Sequence, residues 1–297
     1  MKKSNLLLAA LFATSISSLT SCANQNTLLI LNWGEYINDD VVLEFEKEYN
    51  CEVIISITDS NEKFYSKVKS GTTAYDLVVP SDYMVQKMAD QNMIQKLDLS
   101  RLTNYNRESF MPGVNGIIDE MNVKGTDYTS YFVPYLWGTF GLMYNKRVNG
   151  LEELVKEHGW QGYFDPTIIP SNVKVGMYNV PRDAYAAAMF YNHLSPNEVT
   201  PDLLKLAEKT LSMRKFKEWG TDTLKKGVQS GNLDLAFVYT GDFLDMLYEV
   251  VDTPEELDNI NFDIYIPDET IAFMDTLVMP KNARHVDLAY KFMDFML

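Results

Sequence analysis

Between residues 28 and 91 the chain alternates three times between a short apolar run and a hydrophobic repeat of helical period, and few folds satisfy that alternation. Leu28-Leu29-Ile30-Leu31 has the form of a buried strand running into Asn32-Trp33-Gly34-Glu35-Tyr36. Asn38 or Asp39 can cap a helix that carries Val41, Val42, Phe45 and Tyr49 on one face. A second strand is expected over 53–57. A helix follows over 61–69, with Phe64, Tyr65 and Val68 inward and Gly71 as its stop. A third strand over 76–80 and a third helix over 83–91 complete the unit. Strand and helix in strict succession predict an α/β layer with a largely parallel sheet.

The remainder is similar in kind. A long extended apolar-aromatic stretch covers 131–144, and strands are expected over 173–178, 233–239, 261–267 and 272–280. Helices are expected over 181–193, 200–213, 243–250 and 286–297. Repeats, low-complexity tracts and Pro/Gly-rich linkers are absent from the sequence, so two α/β lobes joined by extended segments fit better than two independent beads. The chain stops at Leu297 inside an apolar pattern of Ala289, Phe292, Met293, Phe295 and Met296, without a capping glycine or polar tail. That ending reads as an incomplete sequence.

Composition narrows the chemistry. With 26 Lys+Arg against 41 Asp+Glu the formal charge is −15, a poor basis for binding nucleic acid and a plausible one for hosting a cation. Two cysteines and three histidines (His158, His193, His285) leave no Cys-based zinc site and little for a His-based metal or catalytic triad. No Gly-x-Ser-x-Gly elbow, His-Glu-x-x-His pair or phosphate-binding loop is found in the sequence, so an enzyme is not expected, and neither a cofactor nor a metal is called for. Met1-Lys2-Lys3 followed by an apolar, small-residue run is a secretory signal, too short to be a comfortable membrane span. It ends in Leu19-Thr20-Ser21-Cys22, which resembles the lipobox of bacterial lipoproteins. That resemblance implies cleavage before Cys22, lipid on its sulfur and attachment to a membrane face outside the cytoplasm (the periplasmic space in a Gram-negative cell). Cys51, in the apolar run 51–55, then has no partner and is expected as a buried thiol.

Aromatic rings and carboxylates collect just after the expected strands: Trp33-Gly34-Glu35-Tyr36, Ser81-Asp82-Tyr83, Tyr239-Thr240-Gly241-Asp242 and Phe273-Met274-Asp275. Ligands of open α/β sheets bind at those strand ends. Alternating rings and carboxylates suit a flexible alkyl polyamine, because rings cover methylenes and meet ammonium groups through their π-faces while carboxylates pair with each ammonium. Taken one at a time, such rings are as readily explained by packing, and such acids by helix capping.

Several spaced motifs carry the reading further. Asn32-Trp33-Gly34-Glu35-Tyr36, Ser60-Asn61-Glu62, the run 75–83, Met93-Ile94-Gln95-Lys96-Leu97-Asp98, Pro134-Tyr135-Leu136-Trp137-Gly138, Pro181-Arg182-Asp183, the run 231–241, Phe273-Met274-Asp275 and 279–283 follow one another in an order that closely resembles the spermidine/putrescine-binding proteins of bacterial polyamine ABC transporters. The likeness spans roughly residues 28–297 and is weakest over 107–130 and 145–175.

The resemblance implies a two-lobed fold of the periplasmic-binding-protein type, class II, each lobe a mixed sheet flanked by helices with the ligand cleft between them. Its expected divisions are a signal over 1–21, a lipidated tether over 22–27, lobe 1 over 28–138 plus 271–297, and lobe 2 over 139–270 with its C-terminal part missing. Crossings between lobes would fall near 138–145 and 268–275. The partners implied are a polyamine and the permease subunits of an ABC transporter. By similarity Trp33, Tyr36 and Tyr83 line one wall, Gly34 and Glu35 close one end with Glu35 facing a terminal ammonium, and Ser81 hydrogen-bonds nearby. Asp183 matches a family glutamate, Tyr239 and Phe273 match tryptophans, and Asp275 matches the key carboxylate for an amine. Val180 stands where a spermidine-binding relative carries an aspartate, and Asp82 is a nearby substitute. Arg182 is expected to orient Asp183, while Trp137 is open between hinge packing and ligand contact, and Trp160 and Trp219 are expected as packing in loops. The alternative is a receptor of the same fold for a metal ion or another small cation.

Overall fold

The computed structural model describes residues 26–122, 127–251 and 253–297. Cys22 and the expected signal lie outside the described residues. In chain order the elements are β1 (Thr27–Asn32), α1 (Asp39–Tyr49), β2 (Glu52–Ile57), α2 (Asn61–Ser70), β3 (Leu77–Val78), α3 (Asp82–Asp90), α4 (Pro112–Met121) and β4 (Phe132–Asn145). There follow α5 (Leu151–Phe164), β5 (Val175–Tyr178), α6 (Pro181–Tyr191), α7 (Pro201–Leu211), β6 (Glu218–Gly220) and α8 (Thr223–Ser230). The last are β7 (Leu235–Tyr239), α9 (Thr240–Val250), β8 (Phe262–Tyr265), β9 (Ala272–Val278) and α10 (Val286–Phe295).

Strand order is β2-β1-β3-β9-β4-β7-β5-β6, with β8 also on β4. The β2-β1-β3 pairs are parallel, as expected, but β9 enters antiparallel to β3 and β4 antiparallel to β9, which makes the layer mixed. β4 is the joint of the molecule. Its 14 residues reach roughly 45 Å at about 3.3 Å each. The first part pairs with β9 and the second, from Phe140, pairs with β7 and β8.

Around each half of β4 lies a separate core. On the β9 side the period-2 alternation of the strands splits the apolar residues between two faces. Leu28, Ile30, Leu77 and Val79 face Phe45, Leu288 and Phe292 on one side, while Leu31 and Val78 face Phe64, Met84 and Ile118 on the other. Burial on both faces explains why these strands read as continuous apolar runs rather than alternating ones. α10 belongs to this core, its Phe292 ring 5.0 Å from that of Phe45. The second core draws on residues between Phe140 and Phe262 and is strongly aromatic, with Trp160, Tyr163, Phe164, Phe190 and Phe237. Each fully buried side chain of this size contributes about 1.5–3 kcal/mol. Two cores joined through β4 make the fold two-lobed.

Local signals account for most boundaries. The Asn38 side chain caps α1, Ser60 caps α2, Thr200 caps α7, and Gly71 ends α2 in the left-handed conformation at φ 62°. The third strand is shorter than expected, and at its expected start the Asp76 side chain accepts from the backbone N–H groups of Leu29, Arg284 and His285 and so ties β1 to the approach of α10. Trp160 lies not in a loop but in α5, which breaks at Gly159 and lets the indole stack 5.7 Å from Phe190. Trp219 lies in β6, half-exposed. Cys51 is only half-buried, since it precedes the outermost strand, and that partial burial raises its thiol pKa.

Candidate functional site

The cleft is built where strand ends from the two lobes face each other. On the first lobe, the chain leaving β1 is held by the Asn32 side chain, which accepts from Trp33 N–H at 2.9 Å. The Trp33 indole N–H donates to the Val79 carbonyl at 2.8 Å, and the ring meets Phe64 edge-on at 4.8 Å. Glu35 adopts a left-handed backbone at φ 51°, uncommon for a residue other than glycine. Tyr36 is fixed from behind by Tyr135, whose hydroxyl donates to its carbonyl at 2.6 Å.

Asp275, on β9, is the centre of this wall. It is 3% exposed. The Tyr36 hydroxyl donates to one of its oxygens and Ser81 Oγ donates to the other at 2.5 Å. Ser81 is itself held by Asn61, which accepts from its N–H and donates to its Oγ, both at 2.9 Å. Burial pushes the Asp275 carboxyl up to about 6 even though both hydroxyl bonds favour its charged form. Asp82, by contrast, is engaged by backbone: it accepts from Tyr83 N–H and from Met274 N–H at 3.2 Å, fastening α3 to β9. That use makes it a structural tie rather than a free substitute carboxylate.

On the second lobe, Asp183 sits in the first turn of α6 and accepts from the Tyr239 hydroxyl at 2.7 Å. Burial raises its carboxyl to about 6, against the Tyr239 bond and the charge of Arg182. The Tyr239 ring meets Phe273 and Tyr178 edge-on, each at 5.1 Å. A Cβ on Gly138 would come within 2.9 Å of Thr240 Oγ1 and 3.0 Å of the Phe273 ring, so a glycine is needed where β4 passes. Arg182 does not pair with Asp183, as the sequence suggested. Its guanidinium lies 4.0 Å from the centre of the Tyr83 ring on the opposite lobe. Trp137 lies over Gly113 of α4, whose Cβ position is 3.2 Å from the indole, and is itself 40% exposed.

Glu35 is not free either. Its carboxylate lies 3.4 Å from Lys225 Nζ and 4.0 Å from Lys226 Nζ, both on α8 of the second lobe. Lys225 also reaches Asp242 at 3.5 Å and Asp245 at 2.7 Å. Burial raises the Asp242 carboxyl to about 6, opposed by Lys225.

The expected site residues are thus largely brought together. Tyr36, Ser81 and Asp275 are directly bonded, Tyr239 joins Asp183 to Phe273, Trp33 lies 6.3 Å from Tyr36, and Tyr83 meets the other lobe through Arg182. Gly34 lies exposed between Trp33 and Glu35. Sequence reasoning placed Asp242 in a ring-and-carboxylate group without counting it in the site, and missed Asn61 and Tyr135 as supports and Lys225 as a neighbour. Asp242 carried a signal, since it follows β7 as the other acids follow their strands. Lys225 and Lys226 lie on the short helix α8 and belong to no motif that points to the cleft.

Comparison with known proteins is in keeping with this geometry. The profile of the bacterial extracellular solute-binding protein family matches residues 40–297. The putrescine-binding periplasmic protein PotF of Escherichia coli is 29% identical over 99% of this chain and 79% of its own length. The spermidine/putrescine-binding periplasmic protein of Salmonella typhimurium is also 29% identical, over 99% of this chain and 78% of its own. The solved structure of the spermidine/putrescine ABC transporter substrate-binding protein PotD from Streptococcus pneumoniae superposes with a TM-score of 0.69 at 26% identity, covering 91% of this chain and 77% of that one. Among the described residues no helix is long and apolar enough to cross a membrane. The family is one of solute-binding rather than catalytic proteins, acting outside the cytoplasm, and this chain belongs to the bacterial extracellular solute-binding proteins.

Proposed function

We propose that this protein captures a polyamine, putrescine or spermidine, in the cleft between its lobes and delivers it to the permease of an ABC transporter for import. The observation that carries this reading is the pair Asp183 and Asp275. Both are buried, both are raised to about 6, and both are bonded to hydroxyls rather than ion-paired to a lysine or arginine among the described residues. A buried carboxylate without a cation is costly, and an alkyl ammonium relieves that cost. Trp33, Tyr36, Tyr83, Tyr239 and Phe273 supply the faces and edges that cover methylenes, each cation–π contact adding about 0.5–2 kcal/mol. Micromolar affinity requires about 8 kcal/mol net, which two ammonium–carboxylate pairs and two or three ring contacts can supply in a largely pre-formed cleft.

The divisions that follow from this reading are lobe 1 over 28–138 plus 271–297 and lobe 2 over 139–270, so that the crossings border the cleft. The same reading places lipid on Cys22, with residues 23–25 as the tether that holds the receptor near its permease, because Asn26 and Thr27, expected in the tether, already pair with Glu52 of β2. Thermal denaturation tests the binding claim. Putrescine or spermidine should raise Tm of the wild-type protein, and raise that of Asp275→Asn clearly less at the same ligand concentration, and no shift with any polyamine would overturn it. Labelling cells with a fatty-acid analogue tests the anchor, since Cys22→Ser should lose the label.

A further inference from the structure

Lys225 is anchored in α8 between Leu224 and Val228, both fully buried, and its own side chain is 2% exposed. Its ammonium faces Asp242 from the end of β7 and Glu35 from the end of β1, which belong to opposite lobes, with Asp245 completing its contacts. These are the strand ends that also present Tyr239 and Trp33 to the cleft. Glu35 and Asp245 are 55% and 44% exposed and are neutralised largely by water, whereas Asp242 is mostly buried and has Lys225 as its opposing charge.

We propose that the Lys225 ammonium is a built-in occupant of the ammonium position between Glu35 and Asp242, and that it makes the cleft selective for a diamine over a triamine. The inference rests on the polyamine reading and refines it. Of the cleft carboxylates Asp183, Asp242 and Asp275, Asp242 is balanced by Lys225, which leaves the buried Asp183 and Asp275 to receive two ammonium groups. A third ammonium directed at the Glu35 end meets a fixed cation of the same charge, held on a side chain only 2% exposed, and repulsion there disfavours the longer ligand. The carboxylates set the number of amines accepted, and Lys225 lowers that number by one.

The test compares putrescine and spermidine by calorimetric titration of the full wild-type chain, Lys225→Met and Lys225→Met/Asp242→Asn. Methionine keeps the length and apolar stem of lysine and removes the charge. The wild-type protein is expected to bind putrescine more tightly than spermidine by about tenfold or more. Lys225→Met should shift that ratio toward spermidine by about tenfold or more, because Asp242 is freed for the third ammonium. The double variant removes both charges, guards against misfolding from an unpaired Asp242, and should keep the diamine preference. Equal wild-type affinity for the two ligands, or an unchanged ratio in Lys225→Met, would overturn the role of Lys225 while leaving polyamine binding intact. A wild-type protein that binds neither ligand would overturn the polyamine reading and this inference with it.

Discussion

Ser81 and Asp275 stand 194 residues apart in sequence and 2.5 Å apart in space, the serine hydroxyl donating to the carboxylate. The contact joins the start of α3 to the middle of β9, and a backbone bridge between the same two residues holds it in register. A buried acid is thereby aimed by one hydroxyl while a second, from Tyr36, steadies its other oxygen. Asp275→Asn keeps the shape and removes the charge. Polyamine affinity should fall by about 2–5 kcal/mol, roughly thirtyfold or more in Kd, with Tm of the ligand-free protein unchanged or higher at pH 7.5. Calorimetry and thermal denaturation of the same preparation check both halves. Full affinity in the variant would remove Asp275 from the site.

The pH dependence follows from the same burial. With Asp183 and Asp275 raised to about 6 in the ligand-free protein, both are largely ionised at pH 8 and largely protonated at pH 5. An alkyl ammonium stabilises the charged form, so binding lowers these pKa values. Binding near pH 6 should therefore release protons, binding at pH 8 almost none, and affinity should fall as pH drops below 6. The stability of the ligand-free protein should move the other way. A folded-state carboxyl raised above its unfolded value favours the folded form once protonated, so this contribution grows as pH falls from about 7 toward 4. Titration at pH 6 in buffers of different ionisation enthalpy measures the released protons directly.

Glu35 and Asp275 should differ sharply. The Glu35 carboxylate is half-exposed and already faces Lys225 and Lys226, so Glu35→Gln should cost less than about 1 kcal/mol of ligand affinity. A loss equal to that of Asp275→Asn would place an ammonium of the ligand on Glu35 after all. Parallel titrations of the two variants with putrescine decide between these outcomes.

Stability has its own critical carboxylate. Asp76 is fully buried, accepts from the backbone N–H groups of Leu29, Arg284 and His285 at 2.8–3.0 Å, and also meets the His285 ring at 3.0 Å. Asp76→Ala strands those donors, each at about 1–3 kcal/mol. The variant should lose about 3 kcal/mol or more of unfolding free energy in urea. A loss under 1 kcal/mol would show that the approach to α10 rearranges freely.

Much of the fold was legible because both faces of the β2-β1-β3 layer are covered, which prints each strand as an unbroken apolar run between helical repeats. What escaped has particular reasons. β6 is three residues long, too short for any pattern to emerge, and its Trp219 is half-exposed. α8 carries Lys225-Lys226 on a short segment, and only the tertiary structure reveals that the first lysine is buried and the second exposed. β9 turns antiparallel because the chain returns from the second lobe, a matter of topology that local periodicity does not encode. Within the cleft, Trp33, Tyr36, Ser81, Asp183, Tyr239 and Asp275 were identified through ordered motifs resembling a known family rather than through spacing. The lock of Glu35 by Lys225 and the stacking of Arg182 on Tyr83 depend on contacts between lobes, which no single segment shows.

Calorimetric titration of the purified full chain at pH 7.5 with putrescine, cadaverine, spermidine and spermine, with ornithine and Fe(III) citrate as controls, tests the central claim most directly. One-site binding of a polyamine at micromolar affinity or tighter, without binding of either control, is the predicted result. Silence with every polyamine alongside binding of a control would contradict it, and would mean that the two-lobed scaffold serves a different solute.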